Sequence, residues 1–298
     1  MMTTTLGPLV LQNPIMTASG TYGYGTEFSD FVALDRLGAI TLKSVTLEPK
    51  AGNPPPRVLE TPSGLLNSIG LENKGIDHLV SHLLPCLNKL KKVKVIGNIA
   101  GHSYTENIEL ARILNDQVRI DALELNISCP NVSQGGLAFC HDLESVKKLV
   151  SGVKKVYSGP LIVKLSVAVP DFIQLAEVSI DAGADILSMI NTVPGLEVDI
   201  KERRLHFKRG SAGLSGPCIR PIALKAVYDI RSKFSVPIIG MGGVATVDDV
   251  IKFLIVGASA VATGMMNFVN PTLTVQLIEQ LESYLKSESC SLSDLTLK

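Results

Sequence analysis

The segment Asn126-Ile-Ser-Cys-Pro-Asn131 sets a thiol between two carboxamides. Carboxamides offer both N–H and C=O groups, so the pair can hold a polar heterocycle by its edges while Cys129 moves a proton. A free thiol titrates near pH ~8.5, so at neutral pH Cys129 is mostly protonated and takes up a proton only as a thiolate minority or after tuning by its surroundings. The alternative is a small buried hydrophobe, the usual fate of a lone cysteine. Lys43 and Lys164 each follow a short apolar run and sit next to polar residues. A lysine so placed is paired, hydrated or bound to an anion, because an unpaired buried charge is too costly; otherwise it reaches along the surface to solvent. The two together suit an electron-rich ligand. In Gly240-Met-Gly-Gly243 and Thr263-Gly-Met265, glycines let backbone N–H groups approach phosphate oxygens, although glycine is also an ordinary turn residue.

These residues share a position: each closes one of eight short apolar runs. Ile15–Ala18 stops at Ser19, Ala39–Leu42 at Lys43 and Ser44, Val95–Gly97 at Asn98, and Ala122–Leu125 at Asn126. Leu161–Val163 stops at Lys164, Ile186–Ile190 at Asn191, Ile238–Met241 at Gly242 and Gly243, and Ala260–Thr263 at Gly264. Helical spacing fills the gaps, over Thr26–Leu37, Gly75–Leu90, Thr105–Leu114, Leu143–Tyr157, Phe172–Ala182, Pro221–Phe234, Val247–Val256 and Pro271–Leu285. Thr246 with Asp249 reads as a capping box, Asn270 before Pro271 as a cap with a first-turn proline, and Gly183 and Gly257 as helix stops. The alternation predicts an α/β fold, a (β/α)8 TIM barrel whose polar run ends gather on one rim, with phosphate bound after the seventh and eighth strands. Three connections are longer than usual and form the expected site walls: Val45–Lys74, Ser128–His141 and Val193–Pro217. The last should make two short strands, Leu196–Ile200 and Leu205–Phe207, around the basic run Lys201–Arg209, which is either a solvated hairpin or a dock for an acidic partner. The polar tail 287–298 should fray.

The 298 residues suit one barrel domain spanning 1–298. Hydrophobic residues make up 46%, rich in the aliphatic types that parallel strands bury on both faces. Lys plus Arg equals Asp plus Glu at 28 each, which argues against nucleic acid or an anionic membrane as partner and for a small molecule. No run approaches a membrane span and Met1–Leu11 lacks the features of a signal peptide, so the chain reads as cytoplasmic. Cys86, Cys129, Cys140, Cys218 and Cys290 are widely spaced without a C-x-x-C pair, which suits free thiols; no metal site is expected. Neither G-x-G-x-x-G nor G-x-x-x-x-G-K-[ST] opens a nucleotide site, so the bound phosphate should belong to something compact.

Taken with Thr17-Ala-Ser-Gly20, Leu42–Lys50, Gly52-Asn53, Pro56-Arg57, Leu66–Leu71, Val163-Lys-Leu165, Ile190-Asn-Thr192, Gly213–Pro217 and Gly257-Ala-Ser-Ala260, the chain resembles the FMN-binding catalytic subunit of class 1B dihydroorotate dehydrogenase over nearly its whole length. The resemblance implies oxidation of (S)-dihydroorotate to orotate in pyrimidine biosynthesis. It implies FMN contacts from Ser19, Lys43, Ser44, Asn98, Asn126, Lys164, Ile190, Gly216, Gly242, Gly243, Gly264 and Met265, the phosphate lying near the last four. It implies that Lys43, Asn67, Ser68, Ile69, Gly70, Leu71, Asn126, Asn131, Asn191 and Thr192 hold the pyrimidine and its carboxylate. Cys129 would remove the C5 proton while hydride leaves C6 for flavin N5, and Lys164 would stabilise the anionic reduced ring. Electrons would pass to a partner subunit carrying FAD and a 2Fe-2S cluster, with NAD as final acceptor, in a heterotetramer built on a homodimer core.

Two departures stand out. Gly264-Met265 replaces the family's usual Gly-Thr, which keeps a backbone N–H and loses a hydroxyl that could strengthen FMN binding. Val167-Ala168 follow Lys164-Leu-Ser166 where Pro-Asn is common. The rival readings are a stand-alone class 1A-like enzyme using fumarate, a related FMN barrel that reduces pyrimidines, and a non-catalytic barrel holding FMN or phosphate.

Overall fold

The computed structural model describes residues 2–127 and 142–297. In chain order, β1 (Thr4–Leu6) and β2 (Leu9–Leu11) form an antiparallel hairpin. β3 (Ile15–Thr17) and β4 (Ala39–Thr41) begin the barrel, and β5 (Val58–Thr61) and β6 (Gly64–Asn67) lie in the connection after β4. β7 (Lys94–Ile99), β8 (Ala122–Asn126), β9 (Leu161–Lys164) and β10 (Ile186–Met189) continue it. β11 (Val193–Gly195), β12 (Val198–Asp199), β13 (Arg204–Leu205) and β14 (Ala212–Ser215) belong to the excursion, and β15 (Ile238–Met241) and β16 (Ala260–Thr263) close the ring. The order around the barrel is β3-β4-β7-β8-β9-β10-β15-β16 and back to β3, every pair parallel. This is the expected TIM barrel, with the eight strands where the eight apolar runs predict them.

Side chains alternate across each strand, and the alternation separates two cores. On β8, Leu123 and Leu125 pack outward among the helices while Ala122 packs inward, which puts Glu124 and Asn126 on the inner face. The lower interior is apolar, filled by Met16, Ala39, Ile96, Ile162, Ile186, Ile239 and Ala260. Leu6, Leu9 and Leu11 of the hairpin join that cluster and plug the barrel, while Val10 points away to solvent. Each buried leucine contributes about 1.5–3 kcal/mol to holding the plug in place. The sequence reading missed this hairpin because each strand is only three residues long.

The helices begin where capping residues allow. Ser103, Asp142 and Asp171 each accept a backbone N–H from the first turn, and Thr246 and Asp249 form the expected reciprocal box. Gly183 and Gly257 follow helix ends as predicted.

Several expectations fail for local reasons. Thr26–Leu37 is not a helix but a series of turns ending in a 3-10 turn, Leu34–Arg36. There Glu27 accepts the Tyr24 N–H, Ser29 Oγ donates to the Thr26 carbonyl, and Tyr22 stacks on Phe28 at 4.1 Å, so local bonds consume groups that a helix would use. The helix 76–87 widens to a π-type turn at Leu79–Leu83, because Pro85 has no N–H for the Ser81 carbonyl. The last long helix starts at Leu273 rather than Pro271; Asn270 Oδ1 instead accepts the Thr272 N–H and stabilises the preceding turn. The tail does not fray throughout: Ser291 and Asp294 cap one another and Leu295 is buried. The excursion pairs Val198–Asp199 with Arg204–Leu205, a shorter hairpin than predicted, because Phe207 leaves it to pack with Leu66 and Ala212. Beside it lies an unpredicted four-stranded sheet, β11-β14-β6-β5, which ties the connection after β4 to the one after β10. Among the described residues no helix is long and apolar enough to cross a membrane.

Asp35 anchors the start of β7 by accepting the N–H groups of Lys91, Lys92 and Val93. Burial pushes its carboxyl up, but the Lys92, Lys91 and Val93 N–H groups and the Lys92 charge together hold it below the ordinary aspartate value. A carboxyl with a lowered folded pKa contributes stability at neutral pH and loses it as the pH falls through that folded value. Asp35→Asn, which imitates the protonated form, should therefore melt earlier than wild type at neutral pH, with the gap closing on acidification. Thermal unfolding at a series of pH values checks this.

Candidate active site

Above the apolar interior the barrel turns polar. Asn98, Glu124 and Ser188, on β7, β8 and β10, are buried at 0–1% exposure, so each needs an internal partner. They supply one another: Asn98 Nδ2 donates to Glu124 Oε1 at 2.5 Å, and Ser188 Oγ donates to Glu124 Oε2 at 2.7 Å. Ser44, just beyond β4, donates its hydroxyl to Asn98 Oδ1. Lys164 ends β9 and is 6% exposed, and its Nζ reaches Ser19 Oγ at 3.1 Å. Ser19 follows β3, four strands from β9 in either direction, so the lysine side chain lies across the mouth. Asn126 stands beside Lys164 in the β8–β9 register.

Higher on the rim, Lys43 Nζ meets Glu72 Oε2 at 3.5 Å, and Arg57 reaches the same oxygen at 3.2 Å. Glu72 is half exposed, so these pairs are weak and a stronger anion can displace them. Burial, and then the Glu27 and Glu72 charges, push the nearby Tyr24 hydroxyl up to about 12. The loop 67–71 is held from below. Asn53 Nδ2 donates to both the carbonyl and Oγ of Ser68, and Asn73 Nδ2 donates to the Leu71 carbonyl. Gly70 and Leu71 both take left-handed backbone, at φ 77° and 57°, a conformation that Leu adopts only under constraint. The Ser68 side chain is thus turned into the protein, while Ile69, Gly70 and Leu71 complete the loop. Asn67 Nδ2 donates to the Gly213 carbonyl, which couples this loop to β14. Asn191 Oδ1 accepts the Thr192 N–H at the end of β10, beside buried Ile190.

The glycine-rich end is equally compact. A β-carbon on Gly243 would lie 2.8 Å from the Gly216 carbonyl oxygen, and one on Gly216 would lie 2.5 Å from Met265 Cε. One on Gly242 would lie 3.5 Å from Ile190 Cγ1. Gly216, Gly243 and Met265 therefore meet at one place, next to Gly242 and Ile190. The N–H groups of Gly242, Gly243, Gly264 and Met265 find no acceptor among the described residues. Asp249 organises the turn behind them: it is 1% exposed, accepts the Ala245 and Thr246 N–H groups, and pairs with Arg220 at 2.5 Å.

These distances bring together Ser19, Ser44, Asn98 and Lys164 on the floor, Lys43 and the 67–71 loop on the wall, and the four glycine-end residues at the side. Cys129 and Asn131 lie outside the described residues, as does Cys140. Cys86, Cys218 and Cys290 are free thiols. The sequence reading overlooked Glu124 and Ser188, although alternation along β8 could have flagged a carboxylate facing the barrel interior. Glu72 and Asn73 were also missed.

The Dihydroorotate dehydrogenase family model matches residues 1–285. The chain belongs to the dihydroorotate dehydrogenase family. Among its relatives is a protein of Porphyromonas gingivalis named dihydroorotate dehydrogenase B (NAD(+)), catalytic subunit, 46% identical over 95% of this chain and 92% of the relative. Proteins of the same name from Listeria welshimeri and Desulforamulus reducens are 48% and 47% identical, over 92% and 94% of this chain and 90% and 92% of theirs. In this member of the dehydrogenase family, Asp249→Ala should remove the helix cap and leave Arg220 unpaired. Stability should fall by about 2–3 kcal/mol, a value discounted because Arg220 is partly exposed; denaturant unfolding measures it.

Proposed function

We propose that this chain oxidises (S)-dihydroorotate to orotate in pyrimidine biosynthesis, as the FMN-binding catalytic subunit of an NAD-linked two-subunit dehydrogenase in the cytoplasm. The observation that carries the reading is the coincidence of a lysine laid across the barrel mouth with four N–H groups at its side that have no acceptor among the described residues, in a chain that is 46–48% identical to relatives of that name.

Two features support the fit of FMN. Buried N–H groups without acceptors are rare, so the set at Gly242, Gly243, Gly264 and Met265, of which Gly243 is buried, suits a phosphate. A β-carbon on Gly264 would meet nothing nearer than Ala18 Cβ at 3.9 Å, and its φ is not left-handed. Neither backbone nor packing calls for glycine there, whereas close approach of a ligand does. When bound, FMN would supply the acceptor for the hydride that leaves C6 of the substrate.

The chain's own residues do the rest. Cys129 takes the C5 proton on Sγ. Asn67, Asn126, Asn131, Asn191, Thr192 and the backbone of 68–71 hold the flat ring, and Lys43 exchanges Glu72 for the substrate carboxylate. Lys164 would help to hold the flavin and keeps a fixed positive charge at the barrel mouth, so charge that develops there is met without rearrangement. Ser19 steadies that lysine. A partner subunit carrying FAD and a 2Fe-2S cluster receives the electrons, within a heterotetramer.

Anaerobic dihydroorotate should bleach the oxidised flavin absorbance of the wild-type chain; a flavin that stays oxidised overturns the reading. Cys129→Ala should retain FMN and bleach about 100-fold or more slowly, the usual scale of a lost acid-base group. Wild-type bleaching in that variant removes Cys129 from the mechanism. Gly264→Leu should lose FMN binding, followed by fluorescence, while the apoprotein melts at the wild-type temperature. The purified chain should turn over dihydroorotate with artificial acceptors and reduce NAD poorly; rapid NAD reduction would contradict the need for a partner.

A further inference from the structure

Glu124 is the one carboxylate among the described residues that lies on the barrel's inner face, and nothing in the reaction described above uses it. It stands opposite Asn98 in the β7–β8 register and opposite Ile162 in the β8–β9 register. Its side chain passes β9 to reach Ser188, which is itself the register partner of Lys164. The carboxylate thus forms the layer just below the lysine. A carboxylate only accepts hydrogen bonds, and both oxygens are occupied, one by Asn98 Nδ2 and one by Ser188 Oγ.

That occupancy has a directional consequence. Because Glu124 accepts only, the edge of Asn98 turned towards it must be the NH2 group. The opposite edge, Oδ1, is then the one offered to Ser44, and the Ser44 hydroxyl hydrogen is committed to it. Ser44 has one hydrogen, so with it committed the oxygen can present only lone pairs to the mouth. The hydrogen-bonding sense of a rim residue is therefore fixed by a charge two residues deeper. A glutamine at position 124 would not fix it. An amide can offer either edge, so Asn98 could turn over, offer its NH2 to Ser44, and convert Ser44 into a donor.

We propose that Glu124 is a positioning residue for flavin binding: through Asn98 it locks Ser44 as a hydrogen-bond acceptor facing the cofactor. The inference rests on the reading of the barrel mouth as an FMN site. The geometry assigns the carboxylate a job distinct from that of Lys164, since its bonds run to Asn98 and Ser188, both neutral.

The test is FMN affinity of the apoprotein, read by flavin fluorescence, in Glu124→Gln, Ser44→Ala and the double variant, with apoprotein melting measured alongside. Glu124→Gln should bind FMN about tenfold more weakly, the scale of a misdirected charge-assisted bond. Ser44→Ala should weaken binding severalfold, and the double variant should be no weaker than Glu124→Gln alone, because both changes break one chain of bonds. A purely structural role would instead multiply the two losses, and that result overturns the proposal, as does wild-type affinity in Glu124→Gln. Should Glu124→Gln fail to fold, Glu124→Asp keeps the buried charge but draws it back from Asn98. It must show the same non-additivity with Ser44→Ala, and wild-type affinity in Glu124→Asp overturns the proposal. Failure of the wild-type apoprotein to take up FMN overturns the site reading itself, and is distinct from loss of the Glu124 effect in a chain that binds normally.

Discussion

A closed parallel barrel has an interior that water does not fill, so every group facing inward must either be apolar or bring its own partner. This constraint divides the molecule into two storeys. The lower interior satisfies it with aliphatic side chains and a three-leucine plug from the N-terminal hairpin. The upper interior satisfies it with reciprocal bonds among Ser44, Asn98, Glu124 and Ser188, and with the reach of Lys164 to Ser19. Once these polar groups hold one another, their directions are set before any ligand arrives. Preorganisation of that kind is what a site needs in order to meet developing charge without rearranging.

The walls follow from the same economy. The connection after β4 carries the 67–71 loop, whose left-handed Gly70 and Leu71 persist because Asn53 and Asn73 clamp the backbone on either side. The four-stranded sheet β11-β14-β6-β5 then fastens this connection to the excursion after β10. Two long connections that would otherwise move independently become one wall. On the other side, Asp249 takes up the N–H groups of Ala245 and Thr246, just ahead of its helix, and those of Gly242 and Gly243 find no acceptor among the described residues.

Much of this was legible in the sequence, and the exceptions share a cause. The eight apolar runs mark the strands because buried parallel strands need a periodicity-free aliphatic stretch, and Lys43, Asn98, Asn126 and Lys164 mark the rim because polar residues terminate those stretches. The Thr246–Asp249 cap was readable because its two partners lie three residues apart. What stayed hidden depends on contacts distant in sequence. The β6–β14 pairing joins residues about 150 apart, and Tyr22 on Phe28 replaced a helix whose periodicity was otherwise convincing. Glu124 is hidden in the sequence because it sits inside an apolar run whose closing residue, Asn126, carries the visible polar signal. Its importance appears only when Asn98 and Ser188 are found on either side.

Lys164, laid over the Glu124 layer, would form the floor of the proposed FMN site. A diffraction structure of the chain with FMN and orotate tests it directly. The flavin ring should lie within hydrogen-bond reach of Lys164 Nζ, at the mouth and above Asn98 and Ser44. A flavin bound outside the mouth, or a Lys164 turned out to solvent with the cofactor in place, would contradict the account.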